Sequence, residues 1–111
     1  METIRAVHAL AALAQDSRLA VFRLLVQAGP EGINAGTIAT RLAIPSATLS
    51  FHLARLAHAG LIRVQRHGRS LVYAADFSVM NDLIGFLTES CCGGRSCAGA
   101  DAKPARARRG S

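Results

Sequence analysis

Pro45 separates two short runs that both read as helices, and the brevity of the break leaves few folds open. Upstream, "AGTIATRLA" carries Ile38, Ala39 and Leu42 at helical spacing, with Asn34 placed to cap its first turn. Downstream, "ATLSFHLARLAHAG" runs to a glycine stop at Gly60, with Ser46 placed as its cap. A proline cannot continue the first helix, so the segment predicts two helices joined by a tight turn. On the second of them Leu49, Leu53, Leu56 and Ala57 share one side, and Ala47, Phe51, Ala54, Arg55 and His58 project from the other.

The flanking segments extend this pair into one small domain. In "TIRAVHALAALA" the residues Ile4, Val7, Leu10, Ala11 and Ala14 recur at helical spacing. A second helix is capped by Asp16 or Ser17, presents Leu19, Phe22, Leu25 and Val26, and ends at Gly29 and Pro30. After Gly60 the pattern alternates, with Leu61, Arg63 and Gln65 pointing one way and Ile62, Val64 and Arg66 the other. It resumes from Leu71 to Tyr73 after "HGR", which predicts a hairpin with a basic tip. A last helix in "DFSVMNDLIGFLTES" starts at Asp76 or Ser78 and runs into the cysteines. The expected organisation is a folded domain over 1–90, a cysteine-rich segment over 91–99 and a disordered basic tail over 100–111. The fold class is mainly α with a β-hairpin wing.

Composition narrows the functions open to such a chain. Its 111 residues suit one domain, without room for separate catalytic and regulatory modules. The formal net charge of +6 suits a polyanionic partner. Lys103, Arg106, Arg108 and Arg109, set against Asp101, carry half of that excess in the tail, so a nucleic-acid reading has to come from pattern. The N-terminal apolar stretch is shorter than a bilayer span and includes charge, so neither a signal peptide nor a membrane helix is expected. The expected compartment is a reducing cytoplasm, where clustered cysteines bind metals or react more often than they form structural disulfides.

Helix, tight turn, polar-faced helix and basic hairpin is the order of a winged helix-turn-helix. In that arrangement Ser46, Thr48, Ser50, Phe51 and Arg55 supply the groove-facing side chains: hydroxyls for bases or phosphates, an aromatic for thymine methyls, and a guanidinium for guanine or phosphate. Arg66, His67 and Arg69 at the wing tip suit the DNA backbone or a minor groove. The competing reading is a solvated helix face beside a hairpin that only completes the core. The segments "DSRLAVFRLL", "ATLSFHLARLAHAGLI" and "RHGRSLVYAA" together resemble the ArsR/SmtB family of bacterial metal-sensing repressors over roughly residues 16–75. The resemblance implies a homodimer, paired through its first and last helices, that binds two-fold-related operator DNA and lets go when an inducer binds.

The cysteines decide which inducer to expect. Many members of that family hold metal through a Cys-x-Cys on the helix before the recognition helix, but here that region reads "GINAGTIATRL". The zinc sites of other members use Asp and His on the last helix, which here has Asp76 and Asp82 without a histidine. Cys91, Cys92 and Cys97 instead follow the last helix, which resembles the arsenite-responsive members. Three sulfurs make an incomplete tetrahedral zinc cage but suit the pyramidal coordination of As(III) or Sb(III). No obligatory cofactor is expected. The alternatives are another thiophilic metal, methylated arsenic or oxidants acting on the same thiols, or a metalloid-binding protein without DNA binding. An enzyme built on a cysteine nucleophile would need an activating, oxyanion-binding loop, which a glycine-rich segment beside Arg95 hardly supplies, so catalysis is not expected.

Overall fold

Alanines, not the larger residues beside them, form the inner side of the first helix. In the computed structural model, which describes residues 1–94, α1 (Thr3–Leu13) buries Ala6, Ala9 and Ala12. Ile4, Val7 and Leu10, the large residues of the helically spaced row, are exposed. Both rows have helical spacing, and the small side chains let α1 approach its neighbours closely. The three large residues form an apolar row on the outside.

The second helix, α2 (Asp16–Ala28), begins at Asp16, itself one of the expected caps. Gln15 is the N-cap, its side chain accepting from the Arg18 N–H at 2.9 Å, and Asp16 and Ser17 already lie inside the first turn. Val21, Phe22 and Leu25 are buried, whereas Leu19 is exposed. Gly29 (φ 87°) ends the helix as expected.

A two-residue strand β1 (Ile33–Asn34) leads into α3 (Ala35–Leu42), which Asn34 caps through a 2.8 Å bond from Thr37 N–H to its side-chain oxygen. The chain then turns through Ala43, in the left-handed region at φ 53°, and Pro45 into α4 (Ser46–His58). Pro45 rather than Ser46 occupies the cap position of α4. Its fixed φ of −58° sets the entry and its carbonyl accepts from Leu49 N–H at 2.9 Å, so Ser46 becomes the first helical residue. At the other end Leu61 N–H bonds to Leu56 carbonyl and Gly60 adopts φ 81°, a glycine-terminated helix end.

Strands β2 (Ile62–His67) and β3 (Ser70–Ala75) form the hairpin, and β1 adds to its other edge in the antiparallel order β1-β3-β2. The register pairs Val64 with Tyr73 and His67 with Ser70, leaving Gly68 and Arg69 as the turn. The last helix, α5 (Phe77–Leu87), is capped by Asp76, which accepts from Val79 N–H at 3.1 Å. A tight turn over Cys91–Gly94 follows, with Cys92 and Gly93 both at positive φ. The core joins Val21 and Leu25 of α2, Ile38 of α3, Leu49, Leu53 and Leu56 of α4, Leu61, and Leu83 of α5. Cys97 and the basic tail lie outside the described residues.

Candidate nucleic-acid interface

The periodicity that buries one side of α4 presents the other. With Leu49, His52, Leu53 and Leu56 buried, a rotation of about 100° per residue leaves Ala47, Phe51, Ala54 and His58 at the centre of the opposite face, and all four are exposed. Ser50 and Arg55 lie on its shoulders and Ser46 and Thr48 at its margins, likewise exposed. Ala57, expected on the inner side, is exposed, and His52 takes the inner place.

Phe51 is 56% exposed, a large aromatic on a face otherwise made of small and polar groups. The Arg55 guanidinium lies 5.9 Å from the centre of its ring, one helical turn away. That contact restricts the orientations of Arg55, so less freedom is lost when the side chain engages a partner. Ala47 and Ala54 beside Phe51 were not among the expected contact residues. Their small size lets the helix backbone come close to a surface, and the sequence signal for them was position on the face rather than side-chain chemistry.

Helix α4 packs directly against β2. Arg66 and His67 end β2 and Arg69 lies in the turn beside Gly68 (φ 63°), all exposed. His67 Nε2 is 3.2 Å from Gln65 Oε1, a contact local to the strand.

A whole-chain charge count hides how the charges are arranged. Between Gly32 and Ala75 there are five arginines (Arg41, Arg55, Arg63, Arg66 and Arg69) and no aspartate or glutamate. That stretch contains α3, α4 and the hairpin, and the carboxylates of the described residues lie on the flanking helices and their loops. The two-helix and hairpin unit therefore carries a net positive charge, the kind that attracts a phosphate backbone, with Glu31 beside Arg63 at its edge.

At the far end of α5, Cys91 Sγ and Cys92 Sγ are exposed and 3.6 Å apart. Cys92 is disulfide-bonded in this structure. Among the described residues no three His, Cys, Asp or Glu side chains converge on a single point.

Residues 13–65, from the end of α1 through α2, α3, α4 and into β2, match the helix-turn-helix domain family. The structure superposes on an ArsR-like transcriptional regulator from Rhodococcus sp. RHA1 with a TM-score of 0.67 and 26% identity, over 76% of each chain. It superposes on HlyU from Vibrio cholerae N16961 with a TM-score of 0.65 and 26% identity, over 83% of this chain and 99% of that one. A homodimeric winged helix-turn-helix DNA-binding domain from Mycobacterium bovis shares the fold at a TM-score of 0.61 and 23% identity, over 82% of this chain and 84% of that one. The chain is a winged helix-turn-helix protein.

Within the winged helix-turn-helix, α3 and α4 are the paired helices and β2 and β3 the wing. No curated protein matches the sequence. Among the described residues no helix is long and apolar enough to cross a membrane.

Proposed function

We propose that this winged helix-turn-helix protein is a transcriptional repressor that binds operator DNA as a homodimer and releases it when trivalent arsenic, or antimony, binds cysteines beyond α5. The observation that carries the DNA half is the outward face of α4, with Phe51 and Arg55 stacked and exposed inside a stretch free of carboxylates. In a major groove, Ser46, Thr48, Ser50, Phe51 and Arg55 meet base edges and nearby phosphates, while Arg66, His67 and Arg69 hold the backbone or minor groove beside it.

Support for the dimer comes from the apolar surface that one chain leaves open. Ile4, Val7 and Leu10 on α1 and Ile84 and Leu87 on α5 are exposed. An apolar cleft of about 440 Å³ between α2 and α5, lined by Leu19, Phe22, Met80 and Ile84 among others, belongs to the same apolar surface. A second copy pairing through α1 and α5 covers these groups, as the homodimeric fold relative from M. bovis allows.

The thiol half rests on the sequence, which sets Cys91, Cys92 and Cys97 together beyond α5, sulfurs that suit a soft, thiophilic ion once the disulfide at Cys92 is reduced. Cys97 supplies the third sulfur in this reading. Ligation there reshapes the end of α5, hence the dimer pairing, hence the separation of the two α4 helices. A coupling of about 1–3 kcal/mol lowers operator affinity roughly 5- to 150-fold.

The test is fluorescence anisotropy on DNA from the gene's own promoter, at fixed salt with reductant, titrated with arsenite, antimonite or zinc. Release at stoichiometric arsenite and not with zinc is expected. Retention on the operator at every metalloid concentration overturns the inducer assignment, and failure to prefer operator over unrelated DNA overturns the repressor itself.

A further inference from the structure

The core contains one polar chain that the DNA contacts do not use. Arg18, near the start of α2, is only 8% exposed, and His52, on the inner side of α4, only 7%. Arg18 Nε donates to the carbonyl of Ala12 at 2.6 Å, and Arg18 Nη1 lies 3.4 Å from His52 Nδ1. These two contacts connect three helices: the last turn of α1, the first turn of α2 and the middle of α4.

Each contact has a physical reason. Ala12 lies in the final turn of α1, where carbonyls have no helical N–H to receive. The neighbouring caps take other acceptors, since Ala14 N–H bonds to Ala11 carbonyl and Gln15 N–H to Leu13 carbonyl. The Arg18 guanidinium supplies the missing donor and sets a positive charge at the negative end of the helix. A guanidinium has donors and no acceptor, so its approach to His52 requires Nδ1 to offer a lone pair, and the ring proton belongs on Nε2.

We propose that Arg18 and His52 are positioning residues for DNA recognition, fixing the rotation and tilt of α4 relative to the end of α1. The proposal rests on the DNA-binding reading above. His52 is next in sequence to Phe51, and the two rings meet edge to face at 5.8 Å between centroids and 61° between planes. A change in how α1 packs therefore reaches the exposed aromatic through Ala12, Arg18 and His52 in sequence. Apolar packing at the same place would hold α4 in the core but leave its rotation less sharply defined, because dispersion contacts are non-directional and hydrogen bonds are not.

The test compares His52→Leu, which keeps the bulk and removes the acceptor, with His52→Asn, whose side-chain oxygen can occupy the position of Nδ1. Both variants are measured as full-length protein for thermal unfolding, oligomeric state, and binding to operator and unrelated DNA. The Leu variant is expected to stay folded and dimeric, to bind unrelated DNA at low salt like the parent, and to lose operator affinity by roughly 2- to 30-fold, with the Asn variant restoring most of it. Operator binding by His52→Leu within experimental error of the parent overturns the proposal, as does a loss that Asn fails to restore. A second readout needs no operator: long-range ¹H–¹⁵N spectra of the parent are expected to place the His52 ring proton on Nε2 alone. A proton on Nδ1 overturns the link whether or not the protein binds DNA. Absence of operator preference in the parent, with the ring in the expected form, counts against the repressor reading and leaves the link standing as a structural one.

Discussion

Gly32 stands where a methyl group has no room. A Cβ there would lie 2.5 Å from the Tyr73 carbonyl oxygen and 2.9 Å from Val72 Cγ1, and the backbone is at φ +79°. Because β1 pairs with Val72 and Tyr73, the added carbon would force the strand away from its partner just before Asn34 caps α3. Gly32→Ala is expected to lower unfolding free energy by about 2 kcal/mol or more, combining left-handed strain with the clash, as read by urea titration. The cysteines give the second prediction at this scale. Cys91→Ser and Cys92→Ser each replace an exposed side chain beyond the end of α5, so operator affinity should be that of the parent while release by arsenite disappears. A serine variant still released at stoichiometric arsenite would exclude that cysteine from the site.

At the scale of elements, some parts were legible in the sequence for reasons that can be stated. Pro45 and Gly60 bracket α4, and Asn34 and Asp76 cap α3 and α5 as expected, because proline, glycine and the short Asn and Asp side chains act within a turn and need no partner from elsewhere in the fold. The exposed side of α4 followed from leucine spacing alone. The inner side of α1 did not, because Ile4, Val7 and Leu10 compete with Ala6, Ala9 and Ala12 at the same period, and choosing between them requires knowing which neighbour each row meets. The link between His52 and Arg18 spans 34 positions, which no local pattern reveals. The wing carries the prediction for this scale. If Arg66 and Arg69 lie against phosphates, each change to alanine should reduce the slope of log K against log salt by about 0.9 and weaken operator and unrelated DNA alike. An unchanged slope would place those two side chains in solvent.

For the molecule as a whole, the charge pattern and the apolar pattern fall on different parts of the chain. The acid-free stretch from Gly32 to Ala75 holds α4 and the wing, while α1 and α5 carry the exposed Ile4, Val7, Leu10, Ile84 and Leu87. Val7→Glu changes a side chain that is 54% exposed in the single chain, so it should leave the core unaffected and shift the protein to monomer in sedimentation, with operator affinity falling as the second α4 is lost. A dimeric Val7→Glu protein would move the pairing surface away from α1. The alanine packing of α1 has a last consequence. If the proposed dimer forms, a helix that turns methyl groups inward and its largest apolar residues outward gains much of its stability only on meeting another copy, and folding becomes partly bimolecular. The melting temperature should then rise with protein concentration, and dilution by itself should loosen α1 before the rest of the chain. In the proposed repressor, operator occupancy would accordingly follow the square of monomer abundance at low expression, a dependence set by mass action in addition to the inducer.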